Sequence, residues 1–182
     1  MARLYLVRHG KAATTWDDRD PDPGLNDAGR AQAEAMAARL ANKGPLPILT
    51  SPLRRTRETA AALERLWNLH AEVDPRIGEI TAPAGASSRV EWLKDVLQRR
   101  WRELDEPLNR WRKDVLEAIL GITRDTVLVS HFVAINVSVG YALGDDRVTC
   151  FRPENCSCTV LDLREDKLEV VKLGEEGPGR VL

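Results

Sequence analysis

The chain has little of several residues that usually announce a special chemistry. Its 182 residues include three histidines, three cysteines, two phenylalanines and two methionines. An odd number of cysteines cannot close into a complete set of disulfides, so no disulfide scaffold is expected and a reducing, cytoplasmic setting fits best. Cys150, Cys156 and Cys158 lie close in sequence. A structural zinc site wants four thiolate or imidazole ligands, however, and no fourth stands nearby, so they read as small, half-buried residues. No run approaches the roughly 18 apolar residues that span a bilayer. No basic segment followed by an apolar stretch and a small-residue cleavage site opens the chain, so no secretory signal is expected. Charge of one sign is also missing. The formal net charge is -1, which gives no global pull toward nucleic acid or membrane. Any anion site must therefore be local. With no internal repeat, low-complexity tract or linker, residues 1–182 are expected to form one domain.

Alternating strand-like and helical segments are what the chain does have. Strands are expected at 4–7, 47–50, 71–73, 126–130, 158–163 and 168–173. The stretch "LNDAGRAQAEAMAARLANKG" predicts a helix with Asn26 or Asp27 as N-cap and Gly44 as stop. "SPLRRTRETAAALERLW" predicts a second, with Ser51 as cap and Pro52 at the first helical position. Val90, Leu93, Leu97, Trp101 and Leu104 recur at helical spacing until Pro107 interrupts. Trp111, Val115, Ile119 and Leu120 mark a further helix ending near Gly121. Alternation of this kind implies an α/β three-layer sandwich: a mostly parallel central sheet with helices on both faces. The last two strands flank a short polar "REDK" and read as a hairpin, so an antiparallel edge strand is expected.

Open α/β sheets bind ligands at the carboxyl ends of their strands, and three such ends carry reactive residues here. "LYLVRHGKA" delivers Arg8 and His9, with Gly10 allowing a sharp turn or a close backbone approach. The second end supplies Ser51, then Arg54, Arg55 and Arg57. "TVLVSHF" supplies Ser130 and His131. Arg54 and Arg55 fall in the first turn of a helix, where the macrodipole disfavours cations, and a bound anion would offset that placement. The planar fork of arginine matches phosphate oxygens. Two imidazoles and at least two guanidiniums therefore point to a phosphate dianion, and a metal site fits poorly where guanidiniums would repel the ion. Plainer readings exist for single residues: Arg54 can pair with Glu58 one turn on, Arg57 can face solvent, and His70 has no suggested partner.

These residues resemble the histidine phosphatase superfamily, which contains cofactor-dependent phosphoglycerate mutases and many phosphatases. "LVRHGKA" is similar to its Arg-His-Gly signature, "GLNDAGRAQA" to the segment after it, "TSPLRRTRETA" to the segment carrying its second arginine, and "VLVSHF" to its second histidine. The resemblance implies that His9 is the phosphoryl-accepting nucleophile and that Arg8, Arg55 and His131 bind the phosphate oxygens. The Ser-Pro-Leu-x-Arg frame selects Arg55 over Arg54. Glu79 in "RIGEI" is the implied proton donor, although its plain reading is a loop carboxylate. Phe132 stands where the family commonly has glycine. The implied activity is a phosphatase that hydrolyses a small-molecule phosphomonoester or a phosphoprotein through a phosphohistidine, with no metal and no cofactor. A mutase of the same chemistry, using a bisphosphorylated cofactor, and a non-catalytic domain that binds a phosphorylated ligand are the alternatives. No nucleic-acid or membrane partner is expected. The loop "KAATTWDDRDPDPG" places Asp17, Asp18, Asp20 and Asp22 after the first strand end, where they would form a negative rim around a positive centre.

Overall fold

The structure, a computed structural model, describes residues 1–14 and 20–177. In chain order the elements are β1 (Ala2–Arg8), α1 (Asp27–Leu40), β2 (Ile48–Thr50), α2 (Arg54–Trp67), β3 (Glu72–Val73), α3 (Arg89–Gln98), α4 (Glu106–Leu120), β4 (Thr126–Ser130), α5 (Phe132–Leu143), β5 (Cys158–Arg164) and β6 (Lys167–Lys172). The six strands form one sheet in the order β3-β2-β4-β1-β5-β6. Its first four are parallel, and β5 and β6 are antiparallel to their neighbours. The expected antiparallel edge is therefore a two-strand hairpin, with Glu165 at its turn in the left-handed region. Among the described residues no helix is long and apolar enough to cross a membrane.

Side-chain alternation along the strands builds a core on each face of the sheet. Tyr5 and Val7 of β1, with Val127 and Val129 of β4, pack against Met36, Ala37 and Leu40 of α1 and Leu63 of α2. Leu4, Leu6 and Leu128 point the other way, toward Leu93, Val115, Ile119 and Ile135 of α3, α4 and α5. Both faces of the central strands are covered, so β1 and β4 are buried almost throughout, as parallel strands require.

Helix starts follow local chemistry, with informative departures. Asn26 caps α1 by accepting from Gly29 N at 2.8 Å. Pro107 does not interrupt a helix. It sits in the first turn of α4, where a missing N–H is harmless. The helical spacing from Val90 to Leu104 is broken instead at Arg99 and Arg100, both in extended backbone, and Trp101–Glu103 forms a separate short turn. Gly10 serves close approach rather than a special φ: a Cβ there would stand 2.6 Å from the carbonyl oxygen of Gly29, so the chain after His9 lies directly on the start of α1.

Helix α5 is missing from the elements that patterning predicts. Val133, Ile135, Val137 and Val139 alternate with smaller or polar residues, a period of two that disguises a helix. Burial overrides it: Phe132 through Gly140 are all buried, and a helix enclosed on all sides needs no polar face. Gly144, at φ 65°, closes the helix with its N–H directed to Gly140 and Tyr141. The polar exception inside, Asn136, is satisfied. Its amide nitrogen donates to the Phe132 carbonyl at 3.0 Å, and its oxygen accepts from Cys150 N at 2.7 Å and Phe151 N at 3.1 Å. Replacing Asn136 by alanine strands two backbone N–H groups beside a cavity. The expected loss is about 2–4 kcal/mol in denaturant unfolding, and a loss below about 1 kcal/mol would contradict this account.

Candidate active site

Register alone brings the two histidines together. β1 and β4 are parallel neighbours with Arg8 opposite Ser130, and the next residue on each strand is a histidine. Neighbouring strands run about 4.8 Å apart, and the ring centroids of His9 and His131 lie 5.2 Å apart. β2 flanks β4 on its other side, with Thr50 opposite Val129, so Ser51 emerges next to His131. The three strand ends expected to carry the site are adjacent ends of one sheet.

Arg55 joins them. It projects from the first turn of α2, is 3% exposed, and donates from Nε to His9 Nε2 at 3.2 Å and from Nη2 toward His131 Nδ1 at 3.3 Å. Arg54 turns outward and pairs with Glu58 at 2.7 Å, as the plain reading holds. Arg8, also 3% exposed, donates to the Pro153 carbonyl at 2.9 Å. Its guanidinium carbon lies 5.4 Å from the centre of the Phe132 ring, a cation–π contact that a glycine at 132 would lack.

A guanidinium only donates, which fixes the protons on both rings. His9 Nε2 faces Arg55 and so carries a lone pair, while its Nδ1 donates to the Gly10 carbonyl at 2.8 Å. Loss of solvent, then the charges of Arg55 and Arg8, hold the His9 pKa well below its ordinary value. Loss of solvent, then Arg55, His9 and Arg8, do the same for His131. Both rings are neutral at neutral pH, as a nitrogen nucleophile requires.

Glu79 lies half-buried across the pocket. Ser130, expected at the site, holds the approach to it: its hydroxyl donates to the Ile77 carbonyl at 2.7 Å. Glu79 Oε2 accepts from Val133 N at the start of α5 at 3.2 Å, and Oε1 accepts from Ile80 N at 3.1 Å. Burial nevertheless outweighs these bonds and the attraction of Arg55 and Arg8, and the carboxyl pKa is pushed up to about 7. A cleft of about 300 Å³ opens beside Arg55 and Glu79, lined also by Leu53, Ile80, Asp20 and Arg89.

The start of α2 departs from what the sequence predicts. Ser51 does not cap α2, and Pro52 is not its first helical residue: the helix begins at Arg54, and its N-cap position is Leu53, which has no side-chain cap. Asp22 takes that role, accepting from Arg54 N with its two oxygens at 2.8 and 3.1 Å. The anion at the helix start is thus the protein's own carboxylate, and the pocket lies deeper, at Arg55. Of the acidic rim, Asp22 is a cap, Asp20 accepts from Asp22 N at 3.1 Å and lines the cleft, and Asp17 and Asp18 lie outside the described residues.

Some supporting residues carried no sequence signal. Asn155 donates to the His9 carbonyl at 2.9 Å, Cys156 N donates to the Arg8 carbonyl at 2.9 Å, and Thr59 Oγ1 accepts from Gly10 N at 3.0 Å. The cysteines are free. Burial pushes the thiol of Cys150 up to about 11 and those of Cys156 and Cys158 up to about 12. Among the described residues no group of three or more His, Cys, Asp or Glu side chains is arranged to hold a metal ion.

The sequence pattern that defines the histidine phosphatase superfamily (branch 1) matches residues 4–176. The chain belongs to that superfamily. This histidine phosphatase superfamily member is 28% identical to a probable phosphoglycerate mutase GpmB of Photorhabdus laumondii, over 89% of this chain and 85% of the relative. A protein of the same name from Yersinia enterocolitica is 27% identical over 91% and 86%. Among solved structures, phosphoserine phosphatase from Entamoeba histolytica in complex with 3-phosphoglyceric acid shares the fold, with a TM-score of 0.74 at 20% identity over 96% and 98% of the two chains. A mycobacterial glucosyl-3-phosphoglycerate phosphatase complexed with VO3 does so at a TM-score of 0.71 and 24% identity, over 93% and 97%.

The raised pKa of Glu79 has a stability consequence. Its ordinary value is 4.5 and its folded value about 7, so between these pH values the native state holds a proton that the unfolded chain has released. Stability attributable to Glu79 therefore falls as pH rises through that window, and the penalty is complete above it. Glu79→Gln removes the ionisation. Its Tm relative to the parent protein is expected to climb from about pH 5 to about pH 8, and a difference that stays flat across that range would contradict burial as the cause.

Proposed function

We propose that the protein is a phosphatase that hydrolyses small phosphomonoesters through a phosphohistidine on His9. The observation that supports this most is the pairing of a neutral His9 Nε2, its lone pair held open among guanidiniums, with a carboxyl whose pKa near 7 lets it both give and take a proton. In the first step the Nε2 lone pair attacks phosphorus and the ester P–O bond breaks. Glu79 gives its proton to the departing oxygen. In the second, water attacks the phosphoryl group as the Glu79 carboxylate takes a water proton. The P–N bond breaks, its electron pair returns to Nε2, and phosphate leaves. Arg8 and Arg55 bind the equatorial oxygens, where preorganised charge acts most strongly on the transition state.

The mutase names of the relatives make isomerisation the second reading. The cleft favours hydrolysis. Among the described residues its lining carries, besides Arg55, one further cation, Arg89, against two carboxyl groups, Asp20 and Glu79, so it offers no surplus positive charge for a substrate with further anionic groups. Small phosphorylated molecules are also the ligands of the structural neighbours.

The test is the reaction itself. Phosphate release from an uncharged aryl phosphomonoester is expected with higher kcat/KM than any isomerisation of 3-phosphoglycerate, and isomerisation without phosphate release would overturn the proposal. In the same assay Arg55→Ala should lose about 10²–10³ in rate, and Arg54→Ala, on the solvent side, close to nothing. Equal losses would show that Arg55 does not carry the phosphate.

A further inference from the structure

The hydroxyls beneath His131 form a chain with a direction. Thr56 Oγ1 lies 2.7 Å from the Leu53 carbonyl and 3.1 Å from the Ser51 carbonyl, and carbonyls only accept, so either can take the Thr56 proton. With that proton on a carbonyl, Ser51 Oγ, 2.8 Å from Thr56 Oγ1, is free to donate to Thr56, the one of its side-chain neighbours left to accept once His131 Nε2 carries the ring proton. Leu53 N donates to Ser51 Oγ at 3.3 Å, and His131 Nε2 stands 2.7 Å from the same oxygen. With its own proton committed to Thr56, Ser51 can only accept from the ring. The chain runs His131 Nε2–H to Ser51, Ser51 to Thr56, and Thr56 to backbone. Arg55 fixes this direction from the other side: its Nη2 can only donate toward Nδ1, which leaves the ring proton on Nε2. Ser51, Thr56 and His131 are all fully buried, so no water competes for these bonds.

From this geometry we infer that Ser51 and Thr56 are positioning residues that keep the proton of His131 on Nε2, so that Nδ1 is the nitrogen presented to the incoming phosphate. His9 carries the opposite assignment, Nδ1–H, because its Nδ1 faces the Gly10 carbonyl. One guanidinium between the rings thus faces a lone pair on each. When a dianion enters, Arg55 turns its donors to the oxygens, and Nδ1 of His131 faces an acceptor. A proton taken from solvent onto Nδ1 then makes that nitrogen a donor, while Nε2–H keeps its bond to Ser51. The groups that face His131 are Arg55, Arg8 and His9, with Glu79 bonded to Val133 two residues on. The inference rests on the proposed role of the site in phosphate binding, but its first test does not depend on turnover.

The experiment records two-bond 1H–15N correlations on the resting, 15N-labelled full chain near neutral pH, which distinguish the two neutral ring forms. His131 should appear as the Nε2–H form and His9 as the Nδ1–H form. Ser51→Ala should mix or invert the His131 form and lower kcat about tenfold, the worth of one ordinary hydrogen bond. Thr56→Val, which keeps shape, should do so more weakly, and Thr56→Ser should restore both readouts. A resting His131 in the Nδ1–H form, or a Ser51→Ala ring unchanged in form, would overturn the inference. If Ser51→Ala does not fold, the Thr56 pair decides in the same way. Correct ring forms with no phosphatase activity would uphold the assignment and count against the proposed reaction alone.

Discussion

Arg55 carries a full positive charge into a place that is 3% exposed, and its hydrogen-bond acceptors there are the ring nitrogens of His9 and His131. Taking a guanidinium out of water is tolerable only where acceptors or opposite charge replace the lost solvent. Two neutral rings replace it in part, and Glu79 and Asp22 add distant negative charge. Much of the neighbourhood follows from this arrangement. The rings must stay neutral to accept from Arg55, and a carboxyl at Glu79 must share a site already shielded from water. Such a pocket is a poor place for a cation alone and a good one for a cation with a dianion.

The sheet makes the arrangement possible because β2, β4 and β1 are adjacent and parallel. Their carboxyl ends release Ser51, His131 and His9 side by side, and α2 starts close enough to Ser51 to return Arg55 over both rings. Loops then lock what the strands deliver. Asn155 holds the His9 carbonyl, Asp22 caps α2, and Ser130 anchors the turn that ends in Glu79. Cys156 and Cys158, which tempt a reading as ligands, have thiols that burial keeps protonated.

Much of this is legible in the chain. Strand ends loaded with His9, His131, Arg8 and Arg55 stand out because two of the three histidines and a basic helix start coincide at matching ends, and Arg55 separates from Arg54 by frame. The β4 boundaries, Thr126–Ser130, agree with patterning because a strand buried on both faces has sharp edges. What stays hidden depends on tertiary contact. Helix α5 looks like a strand because enclosure removes the polar face that would mark it. Ser51 looks like a helix cap because Ser-Pro is the usual signature of one, and only the neighbouring strand shows that its hydroxyl belongs to His131. Asp22 reads as a rim charge because its partner, Arg54 N, lies 32 residues away. Asn155 sits in a loop that nothing local connects to His9.

In the proposed reaction His9 Nε2 is the atom that accepts the phosphoryl group. Its lone pair is the one presented to the pocket, while Nδ1 is committed to the Gly10 carbonyl. The direct measurement is a brief exposure of the protein to a labelled aryl phosphate, a rapid quench, and identification of the labelled atom under alkaline conditions that preserve phosphohistidine. Acid-labile, alkali-stable label is expected on Nε2 of His9, and none in His9→Ala. Label on Nδ1, on another residue, or retained by His9→Ala would contradict that assignment.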